Sequence, residues 1–202
     1  IDMDVFTAGN PAHPAIIFLH GFPESHRTWR HQMAHFADRF YCIAPDQRGY
    51  RGTSKPKEVE AYTADKLTAD IFALADALNV QQFVIAGHDW GGAIAWSVAL
   101  NGQPDAPNPA WAGRVRRAVI ANAPHPYLFQ RLLISDMNQR ASSQYMIDFR
   151  DTANDALVQD QGLTGLMLKT VKWDKPSAME PEERTALLAD WADRDACFGM
   201  LN

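Results

Sequence analysis

The stretch Val84 to Trp96 reads VIAGHDWGGAIAW, and its centre, Gly87-His88-Asp89-Trp90-Gly91, has the spacing of a nucleophile elbow. In that device an apolar strand runs into a helix through a tight turn, the central residue is held out on a strained backbone, and small residues on either side let strand and helix pass closely. Here the central residue is Asp89, a carboxylate. A serine must lose a proton to a neighbour before it attacks, whereas an aspartate of ordinary pKa, about 3.9, is already ionised at neutral pH. Such a group can attack saturated carbon directly and form an ester. The competing reading is that Asp89 only caps the helix that follows, a position aspartate favours.

A second group stands at the end of another apolar strand. After AIIFL (15–19) comes His20-Gly21-Phe22-Pro23. In an elbow fold one oxyanion donor comes from this loop and the other from the residue after the nucleophile. The expected donors are therefore the Phe22 and Trp90 amides, with His20, Gly21, Pro23, Gly87 and Gly91 shaping the two turns.

Elements able to position these groups are legible around them. Strand-like runs occupy Ala15–Leu19, Tyr41–Ala44, Gln82–Ala86 and Val115–Ala121, and three of them are almost continuously apolar, as strands covered on both faces are. Helical periodicity links Trp29, Met33, Phe36 and Phe40, and again Leu67, Ile71, Leu74 and Leu78 behind a cap at Thr63. Alternating strands and amphipathic helices predict a doubly wound α/β fold with a mostly parallel sheet. The Pro- and Gly-rich run 101–113 reads as a surface loop. Beyond Pro126 strand-like runs cease, and helices are expected over Gln144–Arg150, Leu163–Trp173 and Pro181–Phe198, the last with proline in its first turn.

Composition excludes several roles. Of 202 residues 47% are hydrophobic, enough for one core, and a net charge of −5 leaves no basic stripe for nucleic acid. No apolar run approaches the roughly 20 residues of a membrane span, so no membrane partner is expected. Cys42 and Cys197 have no metal-like spacing, which predicts free thiols in a reducing, cytoplasmic setting, with neither metal nor organic cofactor.

The chain resembles the α/β-hydrolase fold and, within it, the epoxide hydrolases, through HGFPES (20–25), WRHQM (29–33), APDQRGY (44–50), GHDWGG (87–92) and NAPHP (122–126). The resemblance implies residues 1–126 as the N-terminal part of the hydrolase core and 127–202 as a helical cap that is incomplete. It also implies a cis bond before Pro23, a small-molecule epoxide as substrate, and a cap tyrosine that protonates the epoxide oxygen, which maps onto Tyr145 in SSQYMIDFR. Trp29, Phe129 and Met146 are candidate pocket residues.

Haloalkane or haloacid dehalogenases share the aspartate. The haloalkane enzymes typically place an asparagine where Phe22 stands, however, and fluoroacetate dehalogenases often place an arginine at the position of Trp90. The family's order is nucleophile, acid, then histidine, whereas here His125 alone lies beyond Asp89 and follows a strand at once. Hence the expectation that the sequence is part of a longer protein or one chain of a pair, complemented by a C-terminal segment bearing the acid, the histidine and a second tyrosine. The 202 residues alone are expected to lack turnover, and a truncated module that only binds is the remaining alternative.

Overall fold

The computed structural model describes residues 1–170 and 179–202. Its sheet contains β1 (Val5–Ala8), β2 (Ala15–Leu19), β3 (Tyr41–Pro45), β4 (Phe83–His88) and β5 (Val115–Ala121) in the order β1-β3-β2-β4-β5. β1 runs antiparallel to β3, and the other pairings are parallel. The inner strands are apolar on both faces because both faces are covered. Ile17, Leu19, Ile43 and Ile85 enter one core with Leu67, Ile71 and Phe72 of α2 (Ala64–Ala77) and Ile94 and Val98 of α3 (Asp89–Asn101). Their neighbours Ile16, Phe18, Cys42 and Ala86 point the other way and bury Met33 of α1 (Arg30–Phe36). This is the period-2 alternation of a strand feeding two layers.

The expected strands are present, with β3 reaching one residue further, to Pro45, and β4 starting one residue later, at Phe83, and reaching two further, to His88. The first helix is shorter than its periodicity predicts. A 3-10 turn covers His26–Trp29 and α1 stops at Phe36, since the chain must turn to enter β3; Phe40 still meets Phe36 edge-on at 5.9 Å. Thr63 precedes α2 as expected but makes no side-chain cap. β5 forms the sheet edge, and Val119 is 57% exposed there.

All described elements after β5 are helical: α4 (Pro126–Ser135), α5 (Met137–Ser142), α6 (Gln144–Phe149), a 3-10 turn at Thr152–Asn154, α7 (Asp155–Thr170), α8 (Pro181–Asp190) and α9 (Arg194–Leu201). They enclose a second core around Phe149, Leu163, Leu166 and Trp191. Two expectations change. The helix expected over Leu163–Trp173 begins at Asp155, bends at Gly162 (φ 66°) and is described to Thr170; Val171–Trp173 lie outside the described residues. The single helix expected over Pro181–Phe198 is two, because Trp191 turns into the core while Asp193 accepts the Ala196 N–H and starts α9. Both cysteines are buried and unpaired.

Candidate active site

Asp89 has a left-handed backbone, φ 52°, at the junction of β4 and α3. The turn is possible only with glycine beside it. A Cβ on Gly87 would strike the carbonyl of Gly91, and one on Gly91 would strike the carbonyls of Leu19 and His20. The helix-capping reading of Asp89 fails. The N-cap position belongs to His88, no side chain caps α3, and Asp89 Oδ1 instead accepts the Phe22 N–H at 2.9 Å.

Phe22 is held by a short turn in which the Glu24 N–H donates to Gly21 O at 3.0 Å across the cis Phe22–Pro23 bond. Beneath it His20 is completely buried. Its Nδ1 is 3.0 Å from Gly21 O, and its Nε2 accepts the Gln47 N–H at 3.1 Å, so the proton sits on Nδ1 and the ring is neutral. Burial accordingly holds its pKa below the usual histidine range, against the opposing pull of the Gly21 carbonyl and Asp46. Gln47 Nε2 also donates to His20 O at 2.6 Å, so the strand end is fixed from two directions. The Trp90 amide lies in the first turn of α3, where N–H groups have no acceptor within the helix.

Asp89 opens into a cavity of about 1520 Å³ walled by Phe22, Trp90, Tyr145, Phe149, one side of α4 and the end of α9. Tyr145, on α6, is 41% exposed, and its ring meets Phe149 at 5.4 Å. Phe149 in turn meets Phe22 at 5.1 Å, giving an aromatic path from the helical layer to the turn that holds Asp89. Partial burial, and then the negative Asp89, raises the Tyr145 pKa, so the phenol keeps its proton. Of the candidate pocket residues, Phe129 and Met146 line the cavity. Trp29 does not; it packs on Phe18 at 5.2 Å, beneath the sheet.

Tyr50 was not singled out. It is buried in the cavity wall with its ring edge-on to His20 at 4.5 Å, and burial followed by the charge of Asp89 raises its pKa. Its place in APDQRGY was a visible signal, but a tyrosine in a motif does not reveal which way it faces.

None of the seven histidines lines the cavity. His88 lies 3.5 Å from both Glu24 Oε2 and Asn122 Nδ2, behind the elbow. His125 precedes α4, where its Nδ1 accepts the Tyr127 N–H at 3.3 Å and its ring meets Trp96. Among the described residues no group of His, Cys, Asp and Glu side chains could hold a metal ion, and no helix is long and apolar enough to cross a membrane.

The model of the alpha/beta hydrolase fold family matches residues 14–162. The chain belongs to that family. Within it, the α/β-hydrolase is similar to Epoxide hydrolase A of Mycobacterium tuberculosis, 44% identical over 101 residues that make up 50% of this chain and 31% of that protein. YfhM of Bacillus subtilis, an AB hydrolase superfamily protein, is 30% identical over 213 residues, covering 100% of this chain and 68% of that one. A solved structure described among novel epoxide hydrolases from metagenomes of hot environments is 65% identical, with a TM-score of 0.91 over 98% of this chain and 64% of its own. The α/β-hydrolase chain thus spans about a third of the length of the first curated relatives it matches, 33%, 31% and 36%.

Proposed function

We propose that this chain carries the alkylation half of an epoxide hydrolase site, with Asp89 as nucleophile and residues 127–202 as the lid. The observation that carries the reading is the Phe22 N–H on Asp89 Oδ1 at 2.9 Å in a residue that lines the cavity, which makes Oδ2 the attacking oxygen. Oδ2 bonds to an epoxide carbon as the C–O bond of the ring breaks. The Tyr145 O–H then gives its proton to the departing oxygen. The product is a hydroxyalkyl ester of Asp89, and Oδ1 has become its carbonyl oxygen.

Release requires water to attack Cγ. Negative charge then collects on Oδ1 between the Phe22 and Trp90 amides, each such donor being worth roughly 3 to 4 kcal/mol. Collapse frees the diol with Oδ2 in it and leaves the oxygen of water in Asp89. In this reading the histidine that activates the water is none of the seven in this sequence, and it arrives on a segment pairing with the exposed edge of β5. An epoxide is favoured over a haloalkane because the Phe22 ring packs on Phe149 and offers no donor to a halide.

Styrene oxide tests this directly on the 202-residue chain. One epoxide mass should accumulate on the Asp89 peptide, and Asp89→Asn should abolish it. Steady diol release by the chain alone would reject the missing-base argument, and absence of the adduct would reject Asp89 as nucleophile.

A further inference from the structure

The turn that presents the Phe22 amide is gripped from the helical layer as well as from the sheet. Trp191, at the end of α8, is buried, and its indole N–H donates to Pro23 O at 2.8 Å. Pro23 directly follows the residue whose amide holds Asp89 Oδ1. On either side of this contact the helical layer is pinned. Asp190 accepts from Arg27 at 2.5 Å and from Arg51 at 2.6 Å, and the backbone of Gly162 passes so close to Trp191 O that a Cβ there would collide with it. The Leu163 N–H also donates to Trp191 O at 3.0 Å. Both the position and the direction of the indole are therefore set by residues far from the site.

From this geometry we infer that Trp191 is a positioning residue for the oxyanion turn, its indole N–H fixing the Pro23 carbonyl and thereby the aim of the Phe22 N–H at Asp89. The turn has one anchor on each side of Phe22. His20 fixes Gly21 O from the sheet and Trp191 fixes Pro23 O from the lid, so docking of the lid and assembly of the oxyanion hole are one event. This role rests on the reading of Asp89 as nucleophile for its consequence in rate, but the structural link itself does not.

The test removes the N–H and keeps the ring. Trp191→Phe, and Trp191 replaced site-specifically by β-(3-benzothienyl)alanine, whose sulfur takes the place of the indole N–H, are compared with the unaltered 202-residue chain. Two readouts are used: the amide proton shift of Phe22, and the rate of Asp89 modification by styrene oxide. The Phe22 resonance should move in both variants. At saturating epoxide the modification rate should fall about tenfold, as expected for a slightly misaimed group, with half-saturation within twofold. The benzothienyl chain preserves shape and size, so it keeps the test decisive if Trp191→Phe fails to fold.

An unmoved Phe22 resonance in a folded variant overturns the inference, as does an unchanged modification rate where the unaltered chain reacts. A shift of Phe22 in a chain that never forms the Asp89 adduct upholds the positioning role and rejects the ester reading, so the two fail separately. Loss of rate only in proportion to a lower Tm, with the Phe22 resonance in place, would show Trp191 to be packing alone.

Discussion

Arg51 Nη1 lies 2.6 Å from Asp190 Oδ1 while its Nε lies 3.0 Å from the buried Asp46 Oδ2, so a single guanidinium ties the loop after β3 to the end of α8. Asp190 takes a second cation, Arg27, and Arg27 and Arg30 share Glu183 at 3.6 and 3.4 Å. Asp190 sits between two arginines and its side chain is mostly buried, so its removal leaves two partly desolvated cations facing each other. Asp190→Ala should cost about 2 kcal/mol, below the cost of breaking a fully buried pair because both arginines still reach water. Urea unfolding measures the loss. Hydrogen exchange should rise in residues 181–201 before it rises in the sheet, and uniform loss across both regions would show that the pair does not act on the helical layer.

Acid sensitivity should come in two stages, from two buried groups of the core. His20 is neutral when folded, and burial lowers its pKa below the ordinary histidine value of 6.5. Below 6.5 the unfolded chain therefore binds a proton that the folded one does not, and stability falls as the pH drops from 6.5 toward the folded pKa. For Asp46, burial alone would raise the pKa, but the hydrogen bonds from the His26 ring and amide outweigh it and leave it below the ordinary aspartate value of 3.8. Its contribution is complete above 3.8 and is lost as pH falls through the lower folded value. Urea midpoints between pH 8 and 3 should thus begin to decline near 6.5, and His20→Gln should flatten that first decline. A flat wild-type profile between pH 6.5 and 5 would refute the neutral, low-pKa His20.

How far the sequence disclosed all this depended on the range of the forces involved. The strands and the two turns were legible because their signals are local: AIIFL and QFVIA are runs that must be buried on both faces, and Gly87 and Gly91 flank a turn that only glycine allows. The break at Trp191 was not legible. Residues 181–198 carry unbroken helical composition, and what ends the helix is a long-range contact, the indole on Pro23, aided by the Asp193 cap. Trp29 misled for a similar reason, since its periodicity marked a buried face without saying which side of the sheet that face met. Tyr50 and the Arg51–Asp190 pair are likewise products of tertiary proximity.

Tyr145→Phe tests the acid proposed for the first step. Tyr145 is partly exposed and its ring rests on Phe149, so losing the oxygen should leave Tm within about one degree, as surface changes do. Ring opening should slow by about 10²-fold, the lower range for a positioned general acid. The rate of adduct formation on Asp89 reads this step without interference from ester hydrolysis. A rate within twofold of the unaltered chain would remove Tyr145 from the mechanism.

Gly21→Ala separates the placement of the proposed nucleophile, Asp89, from the integrity of the fold. An added Cβ would lie 2.6 Å from Asp89 Cβ and 2.9 Å from Oδ1, and it would meet no backbone among its three nearest atoms. Side-chain rotation moves Oδ1 but not Cβ, so the turn that carries Asp89 must shift as well, and Oδ1 must leave the Phe22 N–H. Gly91→Ala is the contrast, because its Cβ would run into the Leu19 and His20 carbonyls and force strand from helix. Gly21→Ala should cost about 2 to 3 kcal/mol of stability, the upper part of the usual overpacking range, yet reduce adduct formation about 10²-fold. Gly91→Ala should lose stability first and activity only with it. Circular dichroism with thermal melts, and the mass of the Asp89 peptide after styrene oxide, distinguish the two patterns. A Gly21→Ala chain that alkylates at the unaltered rate would show that the Phe22–Asp89 hydrogen bond does not position the attacking carboxylate.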